Sequence, residues 1–139
     1  MIRRAAIAVF ILAALGGLVI MLWPEPVRRG VAETEFQLLD GKKITLMELR
    51  GRPVLVAFWA TSCKPCVEEL PDLVKLYKEL RPKGFELIAV AMPYDPPLNV
   101  QTFVKNQNVP YPVALDVEGK AVRAFDGVPY VPMAFLISP

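Results

Sequence analysis

The sequence predicts a single α/β domain, because apolar runs of strand length alternate with a segment of helical period, and a Cys-x-x-Cys pair stands where the two meet. At 139 residues there is room for one such domain, and the 54% hydrophobic content is inflated by one N-terminal stretch. No internal repeat or low-complexity segment interrupts it.

That stretch, residues 5–23, runs 19 positions without a charge. At ~1.5 Å per residue this nearly crosses a hydrocarbon core of ~30 Å. Arg3 and Arg4 precede it, and Trp23 and Pro24 close it. An uncleaved signal anchor and a long signal peptide are the two readings, and either exports the rest. The bulky Val19, Ile20, Met21, Leu22 and Trp23 offer no small-x-small cleavage site, which favours the anchor. Arg28 and Arg29 match Arg3 and Arg4 in number, so only the free amine tips the orientation toward N-in. Residues 24–34, with two prolines and mixed charge, read as an extended linker, and residues 35–139 as the folded domain.

Within that domain, Phe36–Leu39 and Ile44–Leu46 flank Asp40-Gly41 and predict a hairpin. Val54–Trp59 is a continuous apolar run, as expected of a strand buried on both faces. The period then changes: Val67, Leu70, Leu73, Val74, Tyr77 and Leu80 recur at three and four residues, predicting an amphipathic helix from Cys63 to Leu80. Ser62 is the expected N-cap, Pro71 the expected kink, and Gly84 suits the reversal that follows. Phe85–Ala91 is a second buried strand, parallel to the first by a right-handed crossover. Met92–Leu98, with three prolines, reads as a loop. A short helix over Val100–Asn106, a strand over Val113–Leu115, a turn at Glu118-Gly119, a short helix toward Phe125 and a last strand over Met133–Ile137 complete the order.

Composition closes several functional classes. Beyond residue 23 the chain holds 14 basic and 14 acidic residues, so no basic face is available for nucleic acid. With two cysteines and no histidine, a tetrahedral zinc site lacks ligands, so no metal is expected, and a histidine-dependent nucleophilic triad is excluded.

What remains is Cys63-Lys64-Pro65-Cys66, two thiols one turn apart at a helix N-terminus directly after a buried strand. Free N–H groups and the positive end of the helix dipole stabilise a thiolate, the form that attacks a disulfide. Cys63 is then the nucleophile and Cys66 the resolving thiol. Pro65 donates no N–H and stiffens the ring. Lys64 adds a positive charge, against the plainer reading of a solvated side chain. A purely structural bridge is the alternative for the pair, but so small a ring restrains the unfolded chain far less than the ~3 kcal/mol of a 15-residue loop. The order strand, Cys-x-x-Cys, helix marks a redox site.

The segment from Phe58 to Pro71, FWATSCKPCVEELP, resembles the active-site segment of the thioredoxin superfamily, and more narrowly of its TlpA-like and ResA-like branch. The match runs from about Thr34 to Ile137. The resemblance implies a thioredoxin-like fold, a central mixed sheet flanked by helices, behind a single N-terminal transmembrane helix. It implies a single-pass protein of the bacterial inner membrane with its domain in the periplasm or outside the cell. There it would reduce disulfides of exported, cysteine-containing proteins, for example in cytochrome c maturation or oxidase assembly, fed by a membrane electron donor of the thiol-relay type. No cofactor beyond the redox-active disulfide is implied.

The same resemblance implies roles away from the cysteines. Tyr130-Val131-Pro132-Met133 falls where the superfamily has its cis-proline loop, so Pro132 would face the pair and the Val131 backbone would bind an incoming peptide. Pro129 is the alternative, against the register of the following strand. Glu69 matches a glutamate that this branch places near the site for proton transfer, against a solvated helix face shared with Glu68. Trp59, with Lys64 and Pro65, would border the client, the indole packing rather than reacting.

Two departures stand out. Ala57 occupies the position of the buried aspartate of cytoplasmic thioredoxins, leaving Glu69 as the nearby proton acceptor. The chain stops at Pro139, where the family continues with another strand and a helix, so the fold is expected to be C-terminally short, with an unpaired edge. Two rival readings remain at this level: a peroxiredoxin-type thiol peroxidase, whose PxxxT/SxxC setting lacks its proline here, and a non-catalytic client-binding or assembly factor.

Overall fold

A computed structural model describes residues 29–139. The expected membrane segment, residues 5–23, lies outside the described residues, and among the described ones no helix is long and apolar enough to cross a membrane.

The elements in order are α1 (Arg29–Ala32), β1 (Glu35–Leu38), β2 (Lys43–Thr45), a 3-10 turn (Leu46–Leu49), β3 (Val54–Trp59), α2 (Lys64–Leu80), a 3-10 turn (Arg81–Lys83), β4 (Glu86–Ala91), α3 (Pro97–Gln107), β5 (Val113–Leu115), α4 (Lys120–Ala124) and β6 (Met133–Ile137). The strands form one mixed sheet in the order β2-β1-β5-β4-β3-β6. β3 pairs in parallel with β4, Val54 opposite Glu86 through Trp59 opposite Ala91, and antiparallel with β6, Phe58 opposite Met133. β5 runs parallel to β4, and the hairpin of β1 and β2 joins the sheet through β5.

The period of two along β3 divides the core. Val54, Val56 and Phe58 point to one face, where they meet Phe36, Ile88, Val90 and Phe125, beneath α1 and α4. Leu55 and Trp59 point to the other, where Leu87, Ala89 and Val100 pack against Leu70, Leu73, Val74 and Tyr77 of α2. The result is a sheet covered by helices on both faces, with β5 and β4 at its centre and β3 between β4 and the edge strand β6. Asp116 organises the far end: buried at the close of β5, its carboxylate accepts the N–H groups of Ala121 and Val122 at 3.0 and 2.9 Å and so starts α4.

Two expectations shift, and the long helix keeps its proline. α3 begins at Pro97, inside the segment that reads as loop, because a proline's fixed φ and missing N–H suit a first helical turn. The second strand opens at Glu86 rather than Phe85. α2 continues through Pro71, whose ring lies on the exposed side, so the lost backbone bond falls at the solvent face rather than within the core. Gly84, at φ 91°, makes the left-handed turn that sends the chain from α2 into β4.

Phe58 is 1% exposed, with its ring 5.3 Å from that of Phe125 and 5.9 Å from that of Phe135. Phe58→Ala is expected to lower unfolding free energy by about 3–5 kcal/mol in urea titration, against a total of ~5–15 kcal/mol. A loss under ~1 kcal/mol would show that this cluster does not carry the core.

Candidate functional site

β3 ends at Trp59, and the chain turns at once: the Cys63 N–H donates to the Ala60 carbonyl at 3.1 Å. Cys63 itself, with extended φ and ψ of −86° and 102°, is the N-cap of α2. Its Sγ accepts the Cys66 N–H at 3.3 Å, and its carbonyl accepts the Val67 N–H at 3.1 Å. The cap expected of Ser62 therefore belongs to Cys63, because the turn spends one more residue before the helix begins, and the capping atom is the sulfur itself. With Pro65 donating nothing, the Cys66 N–H is the first-turn donor aimed at that sulfur.

Cys63 and Cys66 form a disulfide, with Cα atoms 5.3 Å apart. The two are unequally accessible: Cys63 is half-buried, whereas Cys66 is 6% exposed. Lys64 and Pro65 stand exposed between them. The Lys64 ammonium lies 3.8 Å from Glu68 one turn on, so its charge is shared with that carboxylate.

The β3–β6 register brings the distant loop here. Met133 lies opposite Phe58, so Pro132, one residue earlier, falls beside the end of β3. The Val131–Pro132 peptide is cis. Pro132, Glu69, Ala57 and Trp59 line a hollow of about 160 Å³ against Cys66. Of the residues lining it, Glu69 alone carries a carboxylate, and its side chain is exposed at the mouth. Trp59 packs on Phe103 of α3 with ring centroids 5.3 Å apart, and its indole Nε1 is buried without a hydrogen-bond partner among the described residues. The indole is thus a wall of the site rather than a donor facing solvent.

The structure therefore gathers Cys66, Glu69, Trp59 and Pro132 around one hollow, joins Cys63 to it only through the disulfide, and leaves Lys64 and Pro65 exposed outside it. One feature carries no mark in the sequence. Asp95, in the loop after β4, is buried, and its carboxylate accepts both the N–H and the hydroxyl of Thr61, the latter at 2.7 Å. An acidic residue between Tyr94 and Pro96 has no periodicity or motif to announce this contact.

Comparison with known proteins agrees with this geometry. A family described as AhpC/TSA matches residues 27–139. The thiol-disulfide oxidoreductase ResA of Bacillus thuringiensis subsp. konkukian is 38% identical over 99 residues, covering 71% of this chain and 56% of that protein. ResA of Bacillus subtilis is 33% identical over 141 residues, 98% of this chain and 78% of that one. Among solved structures, a putative thioredoxin from Neisseria meningitidis superposes with a TM-score of 0.69 at 34% identity, over 75% of this chain and 69% of that chain. The chain spans little more than half the length of the Bacillus thuringiensis relative. With a family match running from residue 27 to residue 139 and this shared architecture, the chain belongs to the AhpC/TSA family and has a thioredoxin-like fold.

Proposed function

We propose that the chain is a thiol-disulfide oxidoreductase that reduces disulfides of exported proteins. The observation that carries this is the unequal pair: a half-buried sulfur at a helix N-terminus, held by a backbone N–H, joined to a covered sulfur beside a proline loop. Relatives named thiol-disulfide oxidoreductase support it.

In the dithiol form, the Cys63 thiolate attacks one sulfur of the client disulfide, and the other leaves as a thiolate that takes up a proton. Cys66 then gives up its proton and attacks the Cys63 sulfur, which releases the second client thiolate. Two electrons pass to the client, and Cys63–Cys66 becomes the disulfide. The electrons pass through the two sulfurs. The Cys66 N–H and the α2 dipole favour the Cys63 thiolate. Glu69, at the mouth of the hollow against Cys66, takes the proton that Cys66 must lose, since Ala57 offers no acceptor there. The Val131 backbone, outside the β3–β6 ladder that begins at Met133, pairs with the client beside the exposed Lys64-Pro65 face.

With dithiothreitol as donor, Cys63→Ala is expected to abolish insulin disulfide reduction, and Cys66→Ala to accumulate a mixed disulfide visible on non-reducing gels. Full activity of Cys63→Ala would sink the mechanism. A couple poised near the ~−270 mV of thioredoxin fits the reducing direction, whereas one near ~−120 mV would reverse it. Glu69→Gln is expected to slow turnover by roughly 10²-fold while leaving the first attack by Cys63 unchanged; equal slowing of both steps would remove Glu69 from proton transfer.

We further place the domain outside the cytoplasm of a bacterium, on the inner membrane through residues 5–23, with clients such as those of cytochrome c maturation and a membrane thiol-relay donor. The uncharged run of 19 residues supports this. Full-length protein should stay in the membrane pellet after carbonate extraction; release as a shortened soluble form would show cleavage instead.

A further inference from the structure

Asp95 is 6% exposed, and no Lys or Arg pairs with it among the described residues. Among the described residues its carboxylate accepts from a single one, Thr61, at both the backbone N–H and the side-chain hydroxyl. Thr61 lies inside the turn from Ala60 to Cys63, closed by the Cys63 N–H on the Ala60 carbonyl at 3.1 Å. Asp95 ends a second turn, closed by its own N–H on the Met92 carbonyl at 2.9 Å. Between the two, the Met92 N–H donates to the Trp59 carbonyl at 3.0 Å. Two turns after adjacent parallel strands are thus cross-braced, and the braced residue stands two positions before the half-buried sulfur.

A buried carboxylate without a cation is costly, and the fold of the loop after β4 gives no reason for one. The position of the first turn does. While the disulfide is closed, Cys63 is tethered to Cys66 on the first turn of α2. Once it opens, the Cys63 backbone is held on the helix side by the Val67 N–H on its carbonyl and on the strand side by the Ala60–Cys63 turn, and the sulfur keeps its place over the Cys66 N–H as well as these two hold it.

We propose that Asp95 is a positioning residue for the nucleophile: acting through Thr61, it holds the turn that keeps the Cys63 sulfur at the helix N-terminus in the dithiol form. This rests on the reading of Cys63 as the attacking thiol. Loss of the brace lets the sulfur drift from the groups that stabilise its thiolate, and misplacement on the ångström scale costs up to ~10²-fold in rate. An asparagine at the same place retains both contacts, because its carbonyl accepts the Thr61 N–H and its amide donates to the Thr61 hydroxyl.

The test is the rate at which iodoacetamide alkylates Cys63 in the reduced full chain at neutral pH, located by peptide mass, with folding checked by circular dichroism. It needs no client, so it separates this proposal from the assignment of reductase activity, which the insulin assay tests alone. Asp95→Ala is expected to react roughly 10-fold more slowly than the natural chain, and Asp95→Asn to return to within about 2-fold. Thr61→Val, which keeps the backbone contact and loses the hydroxyl, should fall between them, and combined with Asp95→Ala it should add nothing further. An unchanged or faster rate in folded Asp95→Ala overturns the proposal, as does an Asp95→Asn rate as slow as that of Asp95→Ala. If Asp95→Ala does not fold, a Thr61→Val rate equal to that of the natural chain overturns it.

Discussion

The pairing of β3 between β4 and β6 is the constraint on which the site depends. Five residues, Val54–Phe58, are paired on both sides, Trp59 is paired with β4, and the strand is packed on both faces, so the end of β3 is held firmly in place. Everything reactive is measured from that end. The parallel neighbour ends in the loop that carries Asp95, the antiparallel neighbour begins where Pro132 stands, and the chain of β3 itself turns into α2 with the two cysteines on its first turn. Three segments remote in sequence therefore meet at one point because three strands share one register.

The helix supplies what the strand cannot. A strand end presents a residue but carries little net dipole, whereas the start of α2 concentrates unpaired N–H groups. Seating a sulfur in the cap position would, on the proposed mechanism, tie the chemistry to the act of starting a helix, since the proposed nucleophile is the atom that satisfies the Cys66 N–H. The covered partner one turn in lies against a hollow whose walls are largely apolar, with a carboxylate only at the mouth.

Much of this is legible in the sequence, and what is not fails for physical reasons. β3 reads directly from Val54–Trp59 because a strand buried on both faces must be apolar throughout, and α2 from its change of period. β5 and β6 are also found at their expected residues. The start of α3 is misread because prolines that break helices also begin them. The cap is misplaced from Ser62 to Cys63 because side-chain preference for caps does not say where a turn will end. The cis bond before Pro132 is invisible in composition, and its place beside the cysteines follows from the resemblance and the β3–β6 register rather than from any local pattern. Asp95 is the deepest omission, since its contact with Thr61 joins residues 34 apart through two loops, and loops carry no period.

The burial of Cys66 has a kinetic corollary. With one sulfur covered and the other half-buried, a macromolecule approaching the oxidised pair meets Cys63 first, with Cys66 as the leaving group on the proposed chemistry. On the proposed chemistry, whatever supplies electrons and whatever receives them must therefore use the same port, one after the other. The two cannot be bound productively at once. The chain would act as a shuttle with alternating occupancy, in which an excess of either partner occludes the other.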